Sequence, residues 1–447
     1  MNKLILITFL VFAITAKSQE AKSLTLKDAI TYALENKADA KKAKLKVENS
    51  EYQIQEVRSK ALPQISANGG LTYNPILQTT FLDAGSFGGE KGKTIQANFG
   101  QKWSSTAGLS LNQALFDQSV FTGLKAAKST REFYQINNQL TEEQVIERVA
   151  NNYYQVYVQR QKLNVLDNNY VNTNKVKNII KGQFDNGLAK KIDLDRILVK
   201  ISNINTQRQQ VLNAVQLQEN ALKFYIGMPI ETKIIIPQTE FQVTPQALSE
   251  TPNTEIRTEY LLLKKQEQLL TFQKQANQAA YYPTLNLSAG YNYIGQGPKI
   301  PWGAKPADGV YWSDFSSIGL NLKVPIFSGF ATRAKVRQAD INLRSIKEDI
   351  NDTKLGLDLA YENAKIQIDN SIITIGNQKT NAQLAQDVLS NTRNNYVQGL
   401  ASLTDLLDAE NSLTEAQNNY TSAILDYKLA EIQLIKSKGE LRTLINN

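Results

Sequence analysis

No proline occurs between Pro75 and Pro229, and none follows Pro325. Proline removes a backbone donor and clashes with the preceding helical turn, so runs this long without it leave room for very long helices. Two such patterns run from Gln118 to about Gln183 and from Ser328 to about Asn395. Each holds about 65 residues, or about 100 Å of helix at 1.5 Å per residue. Both end in a glycine turn, "FDNGLAKKIDLD" and "YVQGLASLTDLLD", and a return helix follows, roughly 190–226 and 402–440. The two devices are offset by 212 positions: Gly187 and Gly399, Asp193 and Asp405, Gly227 and Gly439. The chain reads as an internal two-fold repeat, residues 19–227 and 251–447 around a link at 228–250.

The return helices carry a coiled-coil seam. Leu406, Leu413, Tyr420, Tyr427, Leu434 and Leu441 recur every seven residues, and Ala409, Ala416, Ala423 and Ala430 lie three positions later. A large-plus-alanine seam lets axes approach closely, and a strict seven-residue period implies a left-handed supercoil. The earlier seam is Leu194, Ile201, Val215 and Leu222 with Ile197, Ile204 and Val211, interrupted by Arg208. An antiparallel helical hairpin accounts for both seams. They set architecture and mark no ligand.

Glycine and tryptophan concentrate elsewhere. Windows 61–113 and 283–330 hold 15 of the 23 glycines and all three tryptophans. They alternate with period two. In "QISANGGLTYN", Ile65, Ala67, Gly69, Leu71 and Tyr73 take one face; in "TLNLSAGYNY", Leu285, Leu287, Ala289, Tyr291 and Tyr293 do. With "WSSTAGLSLNQ" and a segment containing "SIGLNLKVP", the spacing predicts four strands, 64–74, 103–113, 284–293 and 315–325. Strands of about ten residues suit a tilted membrane crossing. Aromatics at their ends (Tyr73, Trp103, Tyr282, Tyr293, Trp312, Phe315) fit an interfacial girdle. A soluble sheet with one buried face gives the same alternation. If the strands do span a membrane, four cannot close a barrel, because an open edge in lipid leaves backbone groups unpaired. Subunits would have to share one, eight strands from two chains or twelve from three. Residues 75–102 and 294–316 would be external loops.

Composition narrows the function. Lys3 followed by apolar Leu4–Ala16 and the small-x-small triplet Ala16-Lys17-Ser18 reads as a secretory signal, residues 1–18. Cysteine and histidine are absent. That removes disulfides, Ser-His-Asp and Cys-His catalysis, and His/Cys zinc sites. The net charge of +8 is spread along helical faces without basic clusters, which argues against nucleic acid. Asp405 and Asp408 share a helix face and could serve as acid and base, but no formed pocket accompanies them.

In this order and spacing, "ALPQI" and "YYPTL" leading into strands, "ALFDQ" and "PIFSG" leading into helix, and the paired G-L-A turns resemble the TolC-type outer membrane efflux proteins. The most specific piece is "YVQGLASLTDLLDAENSLTEAQ", and the likeness covers nearly the whole mature chain. The resemblance implies a mainly α fold with a membrane β-barrel portion. Three chains would share a twelve-stranded barrel, and their hairpins would form a periplasmic tunnel with a mixed belt in the 228–250 link and the C-terminal end. It implies an exit duct for drug efflux or type I protein secretion, without enzymatic activity or cofactor. Its partners would be a periplasmic adaptor and an inner-membrane RND or ABC transporter. By the same likeness Gly187, Leu188, Ala189, Gly399, Leu400 and Ala401 are adaptor-docking tips, and Asp193, Tyr396, Asp405 and Asp408 line the tunnel's closed end. Ala401 stands where the family's best-known member carries an arginine that ties the gate shut; Arg196 is a candidate substitute partner for Asp405 or Asp408. The alternative is a coiled-coil envelope scaffold that conducts nothing.

Overall fold

The computed structural model describes residues 22–88, 90–237 and 253–446. The expected signal segment and much of the 228–250 link lie outside these residues. In chain order the elements are β1 (Lys22–Ser23), α1 (Leu26–Asn36), α2 (Ala38–Ser59), β2 (Gln64–Tyr73), β3 (Gln78–Asp83), β4 (Thr94–Phe99), β5 (Trp103–Phe116), α3 (Gln118–Asp185), α4 (Lys191–Ile226), β6 (Ile234–Ile235), α5 (Thr258–Ala279), β7 (Thr284–Gly297), β8 (Tyr311–Lys323), α6 (Ala331–Val397), α7 (Leu403–Lys438) and α8 (Thr443–Asn446). The chain divides into two compact units, one of residues 48–132 and 265–347, the other of the remainder.

The first unit is built on a four-stranded antiparallel sheet in the order β2-β5-β7-β8. Its register aligns Ile65, Leu111, Ala289 and Ile318 across the four strands, and Ser66, Ser110, Gly290 and Ser317 one position on. One face is therefore largely apolar and the other polar. On the polar face the hydroxyls of Ser66 and Ser110 lie 2.7 Å apart, and Asn321 donates to Ser288 Oγ at 3.0 Å. The apolar face is open: Ile65, Ile318, Leu320 and Leu322 are all well exposed. So are the backbone edges of β2 and β8.

Several strand limits differ from the sequence reading. β5 runs on to Phe116 through a bulge at Ala114/Phe116, which absorbs one residue without ending the ladder. β7 and β8 reach Gly297 and Tyr311 because Trp312 stacks on Tyr293 at 4.7 Å, over the space where Gly295 has no side chain. A Cβ there would sit 2.6 Å from the indole. β8 stops at Lys323, ahead of Pro325, which has no N–H for the ladder. Part of the expected loop 75–102 is the hairpin β3-β4.

Helix ends have local causes. Asp117 accepts from Ser119 N at 2.8 Å and starts α3. Gly329 and Phe330 both hold positive φ, so α6 begins at Ala331, later than Ser328.

The helices of the two hairpins, α3/α4 and α6/α7, are of 68 and 36 and of 67 and 36 residues, and the second unit holds all of α4 and α7 with α3 from residue 133 and α6 from residue 348. The seams are packed as expected. Ile197, Ile204, Val215 and Leu222 are buried, as are Leu406, Ala409, Ala423, Tyr427, Ala430 and Leu434. Arg208 leaves its seam to ion-pair with Asp167 on α3. A separate core gathers Ile30 of α1, Val149 and Val156 of α3, Leu222 and Ile226 of α4, Ile234 of β6 and Ile432 of α7. Beside it β1 pairs in parallel with β6, a two-residue strand in the described part of the link.

Gly227 and Gly439 end α4 and α7 with φ of 75° and 78°. A Cβ on Gly227 would meet the Asn36 carbonyl oxygen at 2.9 Å, whereas on Gly439 it would meet no backbone, only the Arg257 side chain at 3.2 Å. Left-handed backbone costs a non-glycine residue about 1–2 kcal/mol at either site. Gly227→Ala is therefore expected to lower the melting temperature more than Gly439→Ala, by the added backbone clash. Equal shifts in a thermal melt of the detergent-solubilised protein would refute this.

Candidate functional site

Both hairpins turn through the same backbone device. Gly187 and Gly399 adopt φ of 71° and 75°. Leu188 N donates to Gln183 O at 2.7 Å and Leu400 N to Asn395 O at 2.8 Å, satisfying carbonyls that the helix ends leave orphaned. A Cβ on either glycine would touch nothing, so the left-handed backbone alone accounts for these glycines. Leu188 is 81% exposed and Leu400 74%. Apolar side chains held on tight turns without a packing role are available to another surface. Ala189 and Ala401 are half-buried beside them.

Behind the tips all four helices meet. Val176 and Ile180 of α3, Ile197 of α4, and Leu403 and Leu406 of α7 form one buried cluster, with Leu194, Ile201, Leu389 and Tyr396 packed against it. Tyr396 is thereby fixed on α6. Burial raises its phenol pKa, and the carboxylate of Asp193 adds to the rise.

The three aspartates are held differently. Ser402 caps α7: its Oγ accepts from Asp405 N at 3.2 Å, while the Asp405 carboxylate accepts from Ser402 N at 2.8 Å and Ser402 Oγ at 2.7 Å. These bonds hold the Asp405 carboxyl below the usual carboxylate range. Lys190 stands at the corresponding position of α4 and makes no side-chain cap. Asp193 is instead 3.7 Å from Arg196 on its own helix. Arg196 Nη1 also donates to Thr404 Oγ1 at 3.4 Å, one residue short of Asp405. The guanidinium thus joins α4 to α7, but through a hydroxyl, and the Asp405 carboxylate is engaged by its cap. Asp408 is exposed one turn further on.

Sequence reading passed over a second polar group in the same junction. Glu410 of α7 is only 4% exposed. It lies on the spacing Leu403, Leu406, Glu410, Leu413, which was the available signal: a carboxyl set in an apolar helix stripe.

Among the described residues, no group of His, Cys, Asp and Glu could hold a metal ion, and no helix is long and apolar enough to cross a membrane.

The family described as "Outer membrane efflux protein" matches residues 29–228 and 261–440. The chain is 24% identical over 355 residues to outer membrane protein TolC of Vibrio cholerae, covering 75% of this chain and 77% of that one. It is 24% identical over 437 residues to the alkaline protease secretion protein AprF of Pseudomonas aeruginosa, covering 93% and 84%. Its fold is that of the outer membrane protein VceC of Vibrio cholerae, with a TM-score of 0.72 at 17% identity over 93% of this chain and 96% of that one. With the matched segments spanning both hairpins and all four strands of the sheet, the chain belongs to the outer membrane efflux protein family, a bacterial outer membrane channel protein with its helical part in the periplasm and not an enzyme.

Proposed function

We propose that the chain is the exit duct of a tripartite efflux or type I secretion system. Three copies share one twelve-stranded barrel, and their hairpins enclose a periplasmic tunnel. Residues 19–227 and 251–447 are the two halves of a duplicated unit, joined by the 228–250 link. The observation that carries this reading is the open sheet. It has an apolar outer face and free edges at β2 and β8, and in lipid those edges require partners. A neighbouring copy supplies them by pairing its β2 with β8. Native mass in detergent tests this: about three times the mature chain supports the duct, and a detergent-independent dimer supports a scaffold.

The tips Gly187, Leu188, Ala189, Gly399, Leu400 and Ala401 dock a periplasmic adaptor, fed by an inner-membrane RND or ABC transporter. Asp193, Tyr396, Asp405 and Asp408 line the constriction behind them. In a trimer each aspartate becomes a ring of three like charges, which favours passage of cations. With Ala401 in place of an arginine, Arg196 ties the hairpins through Thr404. Asp405→Asn combined with Asp408→Asn is expected to abolish cation selectivity in planar bilayers. Unchanged reversal potentials in a salt gradient would remove the rings from the mechanism.

A further inference from the structure

Just behind the constriction a cavity of about 290 Å³ lies between α3, α6 and α7. Asn168, Asn169 and Asn172 of α3, Arg393 of α6, and Glu410 and Thr414 of α7 line it. A continuous set of hydrogen bonds crosses from α3 to α7 here. Asn169 Nδ2 donates to Thr414 Oγ1 at 2.7 Å, and Thr414 Oγ1 donates to the Glu410 carbonyl oxygen at 2.8 Å. On the other side Thr173 Oγ1 stands 3.0 Å from Asn169 Oδ1 and 3.3 Å from Glu410 Oε2. Thr173 is fully buried.

The hydroxyl of Thr173 has one proton and two acceptors within reach. If Glu410 is ionised, carboxylate and amide compete for that proton, and one of the two contacts is left unmade. If Glu410 is protonated, its own O–H serves Thr173, and Thr173 serves Asn169. The ring Glu410–Thr173–Asn169–Thr414–Glu410 then has one donor and one acceptor at every link.

We propose that Glu410 is a proton-controlled positioning residue of the gate: its neutral carboxyl closes the ring that holds α7 against α3, and its ionisation loosens the two hairpins behind Asp405 and Asp408. This rests on the duct reading above. Burial raises the pKa of Glu410. The packed arrangement therefore holds the proton more tightly than a loosened, hydrated one. Packing is strongest below the ordinary carboxylate pKa and weakens as pH rises through the raised value. The charges that face Glu410 act the other way. The hydrogen bond from Thr173, Arg393 of α6, and Lys200 of α4, which is hydrogen-bonded to Asn411 and shared with Asp408, all favour the ionised form, and burial outweighs them. α3 presents Thr173 and amides.

The test is single-channel conductance of the purified protein in planar bilayers, between about pH 4.5 and 8. Wild-type conductance is expected to rise with pH. Glu410→Gln keeps a neutral donor toward Thr173, and is expected to stay at the wild type's acid-side conductance across the range. Every other ionisable side chain is common to both proteins, so the difference between the curves reports Glu410. A Glu410→Gln curve that tracks wild type at every pH, or lies above it, overturns the proposal. Thr173→Val breaks the ring at a second link and is expected to lift the acid-side conductance to the wild-type alkaline level, a result that does not depend on how the Gln variant folds. If the wild type forms no channels at all, the duct reading fails and this inference fails with it.

Discussion

Cells carrying Leu400→Asp are expected to become as sensitive to exported compounds as cells lacking the protein, while the amount of protein and its native mass stay unchanged. Leu400 is 74% exposed on a turn held by Gly399. Its side chain belongs to none of the buried clusters, so aspartate there costs the fold little; surface changes of this kind fall within about 0.5 kcal/mol. A docking surface responds differently. An apolar anchor at the centre of an interface is worth 2 kcal/mol or more, and a carboxylate buried there without a partner adds a desolvation cost. A loss of about 3 kcal/mol weakens adaptor binding on the order of 100-fold. Leu188→Asp, on the other hairpin, is expected to act in the same direction. Susceptibility assays beside crosslinking of the adaptor check this. Full efflux with Leu400→Asp would mean that the turn only reverses the chain.

Leu406→Ala is expected to produce the opposite pattern: loss of stability with a leaky channel. Leu406 is 1% exposed at the junction of α3, α4, α6 and α7. Its neighbours Val176, Ile180, Ile197 and Leu403 come from three different helices. They cannot all collapse into the space it would vacate. Leucine-to-alanine changes at such sites cost about 2–5 kcal/mol, the higher values where relaxation is least. Here the cost falls on the packing that brings the two hairpins together behind their tips. Hydrogen exchange should accelerate in 176–201 and 389–407, and a large hydrophilic antibiotic should enter cells more readily. Leu188→Ala is the matched control, since the same chemistry at an exposed site should be close to neutral. Equal effects of the two changes would show that the junction is not what holds the gate.

The features that sequence reading located well are those with local causes. Gly187 and Gly399 end helices because each needs a left-handed backbone, a property of one residue. The seams of Ile197, Ile204, Tyr427 and Leu434 were legible because a seven-residue period leaves one face apolar whatever lies opposite. The strands alternated because successive side chains must point to opposite faces. The Ser402–Asp405 cap was also local, and the S-x-x-D spacing could have revealed it.

What remained hidden depended on where distant segments land. β7 and β8 run past their expected limits because Trp312 finds the gap above Gly295 on a neighbouring strand. Arg196 reaches Thr404 because α4 lies beside α7, across more than two hundred residues of chain. Glu410 is the clearest case. In sequence it reads as one more acidic residue following Asp408. In the fold it is buried, with Thr173 of α3 against its carboxyl. The sequence by itself determined the long helices, the four strands of the sheet and the glycine turns, since those follow from backbone sterics and side-chain period within a few residues. Only the tertiary structure decided which carboxyl is exposed and which is buried, because desolvation depends on everything packed around a group and not on its neighbours in the chain.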